Sequence, residues 1–271
     1  TSAAPVLGPT LGSPIASPTP GPTPNLKPVV VVSEDIVGEI TWSSSFQYSV
    51  TNDLQIAVGS SLTIRPGTSV NFTNATLFVF GTLDAVGTED NPIVFTSDAS
   101  WRGIRVLNPF NESVIANAVI ERANGPALDI DKGLLSVSDG TIRFSAQGIR
   151  VRSNGTSIFG NEIYSNDIGV LSNQGNSFNL VGNTIRNNVI GISLAGPQGD
   201  LTFTGNNIMD NSDANLAVTG EAGKTVEASN NWWGTADAAL VGETIRYTMV
   251  GGSANSVVYE PVATEEILTA P

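Results

Sequence analysis

Between Val119 and Gly234 one short phrase recurs five times, at a spacing that leaves few folds open to the chain. The copies are Val119-Ile120-Glu121-Arg122-Ala123, Thr141-Ile142-Arg143-Phe144-Ser145, Glu162-Ile163-Tyr164-Ser165-Asn166, Thr184-Ile185-Arg186-Asn187-Asn188 and Asn207-Ile208-Met209-Asp210-Asn211. Their isoleucines step by 22, 21, 22 and 23 residues. A fixed period of this size means one supersecondary unit per copy, none able to bury its apolar face alone. Each copy runs on into a second apolar run, from Ala127-Leu128-Asp129-Ile130 and Gly148-Ile149-Arg150-Val151 to Asn215-Leu216-Ala217-Val218. Short alternating runs broken by Gly and Asn read as strands joined by tight turns. The period therefore predicts an all-β solenoid, a parallel β-helix with two or three short strands per coil. A leucine-rich repeat has a similar period, but its leucine framework is missing.

Stacked coils place residues of equal phase about 4.8 Å apart. One inward column should hold Ile120, Ile142, Ile163, Ile185 and Ile208; a second should hold Leu128, Ile149, Val170, Ile192 and Leu216. Asn161, Asn183 and Asn206 recur before the isoleucines and Asn166, Asn188 and Asn211 after them. Stacked amides at turns read as structural ladders. In outward phase Arg105, Asp129 and Arg150 share a column, Asp131 faces Arg152, and Glu121 faces Arg143. Opposite charges on neighbouring strands stabilise a sheet without any chemistry.

Charge and composition narrow the function. The formal net charge is −13 with 12 basic residues, which argues against nucleic acid and anionic membranes as partners. With no Cys and no His, thiolate sites, disulfides, the commonest general base and the commonest zinc ligand are all missing. No apolar run approaches the roughly 18 residues that span a bilayer. No cofactor or metal is expected. Asn71, Asn74, Asn111 and Asn154 lie in N-x-[ST] triplets; Asn154 reads as a turn and is the best candidate acceptor for glycosylation. A start at Thr1 is what removal of a secretory signal would leave, so an extracellular or cell-surface location is expected.

Three regions follow from the pattern. Residues 1–28 form a Pro-rich tail, with a plain spacer at 17–24 and apolar anchors at Val6, Leu7, Leu11 and Ile15 that suit a docking segment. Residues 29–261 form the solenoid, of roughly eight to ten coils. Val29 to Val37 begins the first coil or covers its end, and Leu54-Ile56-Val58 reads as one alternating strand. Coils before residue 105 are hard to phase. A loop follows Gly234 to about residue 243, and residues 262–271 form a short mobile tail.

Specific phrases carry a family resemblance. Leu62-Thr63-Ile64-Arg65-Pro66-Gly67-Thr68, Gly81-Thr82-Leu83-Asp84-Ala85-Val86-Gly87-Thr88 and Trp101-Arg102-Gly103-Ile104 resemble bacterial right-handed parallel β-helix repeat proteins. The closing Ser229-Asn230-Asn231-Trp232-Trp233-Gly234-Thr235 is similar to the end of many such helices. The resemblance implies a pectin lyase-like fold of the non-catalytic surface type, with Trp232 and Trp233 as the C-terminal cap. Pectin lyase-like enzymes use grouped acids, which here would be Asp129 with Asp131, or Asp210 with Asp213. The first pair is matched by arginines, and the second has no carboxylate at equal phase. No catalytic residue is assigned. Tyr164, Arg186, Met209 and Asp210 mark a possible glycan groove. The expected function is an extracellular structural protein that assembles with copies of itself, head to tail, into a filament or surface layer. A monomeric carbohydrate-binding or adhesive module that contacts cell-surface glycan is the alternative, and a polysaccharide lyase or hydrolase the least favoured.

Overall fold

The computed structural model describes residues 27–108, 110–172, 177–195, 201–221, 225–250 and 256–268. Val6, Leu7, Leu11 and Ile15 lie outside the described residues. The described chain winds into a right-handed parallel β-solenoid with three walls. The first wall runs from Val29–Val32 and Gln47–Val50 through Thr141–Arg143, Glu162–Tyr164 and Thr184–Arg186 to Asn207–Met209. The second runs from Leu54–Ile56 through Trp101–Val106, Pro126–Ile130 and Gln147–Val151 to Ile245–Val250. The third runs from Glu39–Trp42 through Leu134–Ser138 and Thr156–Phe159 to Phe178–Val181; the bridge from Val181 to Thr204 carries it on to Ser256–Val258. Eight complete coils lie between Gln47 and Glu227, each with one strand per wall, and part-coils flank them.

The repeat isoleucines stack as their spacing requires. Ile120 pairs with Ile142, Ile142 with Ile163, Ile163 with Ile185 and Ile185 with Ile208, all at most 1% exposed. Leu128, Ile149, Val170, Ile192 and Leu216 form the matching column of the second wall. Each buried aliphatic side chain contributes roughly 1.5–3 kcal/mol of transfer free energy, so these columns dominate stability. Toward the N-terminus aromatic pairs take over: Trp42 stacks on Tyr48 and Phe72 on Trp101, with ring centroids 4.5 and 4.6 Å apart.

Both amide ladders form, and every member but the half-buried Asn211 is buried. Asn183 Oδ1 accepts the backbone N–H and the Nδ2 of Asn161, each at 3.0 Å. Asn206 serves Asn183 in the same way, and Asn231 serves Asn206. The second ladder passes from Asn166 through Asn188 and Asn211 to Asn215. The remaining amide hydrogens reach backbone carbonyls, as Asn161 Nδ2 does at Val137 and Phe159. Unpaired polar groups at the corners would cost about 1–3 kcal/mol each, and the ladders remove that cost. A left-handed corner follows every first-wall strand from Ala118–Glu121 onward, at Arg122, Phe144, Ser165, Asn187 and Asp210; the ladder holds the last four, and the Ser145 hydroxyl accepts the Ala123 N–H beside the first. Only one of these five is Asn, so the residue beside the corner, an Asn at the last three, rather than the corner residue itself, supports the turn.

Three details differ from expectation, and one explains why the early coils are hard to phase. Val58 is 83% exposed, because the chain turns at Gly59 after Ile56. The early coils resist phasing because the strand Trp101–Val106 carries a bulge: Trp101 pairs with Ala75 and Ile104 with Leu77, so two residues face one. Gly103 permits it, since a Cβ there would lie 1.9 Å from Pro126 O. The stretch after Gly234 is no simple loop; Ala238–Glu243 is a short helix capped by Asp237, with Val241 buried. Finally, residues 262–268 return along the first wall, where Asn207 Nδ2 donates to Ile267 O and Ile267 N–H to Asn207 Oδ1, both at 2.8 Å.

Ile163→Ala, in the middle of the isoleucine column, should cost about 3 kcal/mol, whereas Thr141→Ala on the outward face should cost under about 0.5 kcal/mol. Urea unfolding midpoints of the two variants check this; equal shifts would overturn the core assignment.

Candidate functional site

Two outward surfaces gather chemistry. On the second wall, strand register sets Phe78, Arg105, Asp129 and Arg150 in one column. Asp129 faces outward in phase, yet its side chain is only 6% exposed because arginines lie over it. Arg150 reaches it through Nε and Nη2 at 3.0 and 2.7 Å, and Arg152 does the same at 3.1 and 2.7 Å. Arg105 approaches at 3.6 Å and also pairs with Asp131, to which Arg152 reaches at 3.3 Å. Burial alone pushes the Asp129 carboxyl up; hydrogen bonds from Arg150 and Arg152 and their charges outweigh it and hold the group below the usual carboxylate range. A carboxylate with its oxygens so engaged is a poor proton acceptor. Beside it lies a cleft of about 380 Å³, lined by Phe78, Pro126, Arg102, Arg105 and Arg150.

On the first wall, the outward column is Glu121, Arg143, Tyr164, Arg186 and Met209. Arg143 donates to Glu121 Oε2 and to Tyr164 Oη, each at 2.8 Å. The Tyr164 ring lies between two guanidiniums, with Arg186 Cζ 5.3 Å and Arg143 Cζ 6.0 Å from its centroid. Arg186 in turn lies 3.6 Å from Glu162.

Arg186, Met209 and Asp210 line an open groove of about 370 Å³ together with Glu162 and Thr184, and Glu266 to Leu268 close one side. Tyr164 is not part of the lining: it supports Arg186 from behind, and its faces are covered by arginines. Sequence reasoning missed Glu162 and Thr184, although both sit in one column, one phase before the isoleucines. The closing segment was not legible, because Ile267 meets Asn207 across sixty positions of sequence.

The remaining candidates separate. Asp213 pairs with Arg246 and does not join Asp210. Among the described residues no three of Asp, Glu, His and Cys gather as a metal site. Trp232 continues the first wall beside Asn207, while Trp233 is 2% exposed in the core, so the pair divides between two tasks. Val241 and Ile245 share the end of the core with Trp233. Tyr247, stacked on Val218, lies there too, and burial first and then the Tyr259 charge push its hydroxyl up. Asn154 is exposed just before Gly155, and its Oδ1 accepts the Ser177 N–H at 2.8 Å.

A right-handed beta helix region is matched over residues 86–232, more than half of the chain. The chain belongs to that family. No curated protein and no solved structure matches it. The matched part of this β-helix begins in the third-wall strand Thr82–Val86 and ends at Trp232, so it holds the arginines of both surfaces but neither Phe78 nor Glu266 to Leu268. No helix among the described residues is long and apolar enough to cross a membrane.

Because the folded pKa of Asp129 is depressed, its contribution to stability is present above the unfolded value near 3.9 and is lost as pH falls through the folded one. Asp129→Asn should therefore cost about 3 kcal/mol at pH 7 by leaving Arg150 without its carboxylate and Arg152 with Asp131 alone, with a smaller difference below about pH 4. Urea unfolding of both proteins at pH 7 and pH 3 tests the sign.

Proposed function

We propose that this β-helix is an extracellular structural subunit that assembles head to tail into a filament or surface layer, with residues 1–28 as the connector. The observation that carries the reading is the state of the first coil. Val29–Val32 pairs with Gln47–Val50 on one side, and no described residue pairs with its other side. Val29 and Val31 are 59% and 64% exposed, and Ile40 on the same end is 37% exposed. Edge strands are normally blunted by charge, bulges or a covering segment, and Val29–Val32 contains no charged residue. The Pro-rich segment is covalently joined to this strand, and eight residues of polyproline II would span roughly 25 Å, a reach that suits Val6, Leu7, Leu11 and Ile15 as anchors on a neighbouring copy. At the far end the outermost strands are Ile245–Val250 and Ser256–Val258. Contact between unlike ends does not close on itself, which favours a filament over a ring.

The resemblance to surface β-helix proteins supports the extracellular placement, and the charge of −13 weighs against nucleic acid as a partner. We read the subunit as non-catalytic, because its best buried acid, Asp129, is engaged by two arginines. Calcium-dependent turnover of a uronic-acid polymer, lost in Asp210→Ala or Asp129→Ala, would overturn that reading.

Sedimentation of the full chain should show concentration-dependent polymers, and removal of residues 1–16 should leave a folded monomer. An intact chain that stays monomeric at high concentration would end the proposal. A monomeric glycan-binding module is the second reading, favoured by the groove at Arg186. In that case Arg186→Ala should weaken saturable glycan binding at least tenfold, with no turnover in either protein.

A further inference from the structure

We infer that the cleft on the second wall, between Phe78 and the turn at 124–126, binds a carboxylate carried on a flat ring. The site is separate from the groove at Arg186, which lies on the first wall, and it requires no assembly. Residues that depart from the repeat build it. The strand Trp101–Val106 sets two residues, Arg102 and Gly103, opposite Thr76 alone. Bulges re-aim side chains, and this one places Arg102 on the cleft wall, where its Nε donates to Thr76 Oγ1 at 2.9 Å. Gly103, at a φ of 81°, lets the Pro126 carbonyl approach so closely that any side chain there would overlap it. Stacking of coils requires neither departure, and both shape the same cavity of about 380 Å³, a size suited to a small ligand.

The guanidiniums around the cleft have donors to spare. Arg102, Arg105, Arg150 and Arg152 meet Asp53, Asp129 and Asp131, four cations against three carboxylates. One positive charge is left over, in a chain whose net charge is −13. Arg102 is fully engaged, since its other nitrogens reach Asn74 O and Asp53. Arg150 gives Nε and Nη2 to Asp129, and Arg105 gives Nη2 to Asp131. Arg105 is held by that one hydrogen bond: its buried Nε has no partner, with Asp129 Oδ2 at 3.6 Å. Neither Nη1 of this pair donates to any described residue. Asp129 also borders the cleft, but Arg150 and Arg152 already engage both of its oxygens. Arginines with unused N–H groups on a cleft wall suit the planar, two-oxygen geometry of a carboxylate.

Phe78 supplies the surface for the ring. It is half-buried and lies in register beside Arg105. Tyr164 on the first wall is covered by two guanidiniums, whereas among the described residues none lies over Phe78, whose one ring neighbour is Phe80 at 6.3 Å. Pro126 adds a second apolar surface. A sugar acid and an aromatic acid both combine a carboxylate with a ring that stacks on an aromatic side chain. A bare anion meets only the arginines, and a neutral sugar only Phe78 and Pro126.

Calorimetric titration of the full-length protein with glucuronate, benzoate, acetate and glucose tests the inference. Glucuronate, benzoate or both should bind roughly tenfold or more tighter than acetate and glucose. Binding of glucuronate alone assigns the ring to a sugar acid, and binding of benzoate alone to an aromatic acid. Arg105→Gln and, independently, Phe78→Ala should each weaken the ring acid roughly fivefold or more, while Arg186→Ala leaves it unchanged. Phe78→Ala removes no ion pair, so it reports on the cleft even where Arg105→Gln disturbs the fold. Absence of binding by both ring acids overturns the inference. So does acetate that binds as tightly as either, or an affinity that falls in Arg186→Ala and in neither cleft variant.

Discussion

Parallel pairing from coil to coil is the constraint on which everything else depends. Each strand has hydrogen-bond partners only one coil above and one coil below, as Glu162–Tyr164 has in Thr141–Arg143 and Thr184–Arg186. A coil may lengthen at a corner, but it must return to phase before the next strand begins, or its apolar set turns outward. The asparagine ladders enforce that return. They satisfy corner backbone groups in the buried interior, and they tie Asn161, Asn183, Asn206 and Asn231 to one another at nearly constant geometry. Where no such ladder exists, around Trp101–Val106, the register slips by a bulge and is recovered by Gly103.

The same periodicity governs electrostatics. A residue in outward phase meets its equivalents directly above and below, so charge must alternate in sign along a column or be excluded from it. The second wall alternates: Arg105, Asp129, Arg150. The first wall alternates from Glu121 to Arg143 and then inserts Tyr164, whose ring separates two like-charged guanidiniums while attracting both. On the third wall the strands Leu134–Ser138, Thr156–Phe159 and Phe178–Val181 exclude charge, while Thr82–Val86 keeps an exposed Asp84. The three walls thus differ in chemistry.

The two ends are finished differently. At the C-terminal end Trp233, Val241 and Ile245 close the core, and residues 262–268 fold back over the first wall. At the N-terminal end Val30 and Val32 only partly cover the core, and Val29–Val32 presents an edge free of charge. A solenoid with one finished and one unfinished end has a polarity, which is what a head-to-tail assembly needs.

How much of this was legible in the sequence depended on the range of the interaction involved. The five isoleucines, the second apolar column, both sets of asparagines and the pairing of Glu121 with Arg143 all follow from a period of about 22, because equal phase means contact in a parallel solenoid. The candidate groove was legible in part: Arg186, Met209 and Asp210 share a phase relation, and Glu162 and Thr184 could have been found by the same counting. Tertiary structure alone decided what lies off the period. It set the extra residue at Arg102–Gly103, buried Asp129 beneath three arginines, split Trp232 from Trp233 and laid Ile267 against Asn207. A periodic sequence specifies contacts between equivalents. Contacts between non-equivalents, at bulges, ends and returning segments, depend on the shape the stacked coils have already made.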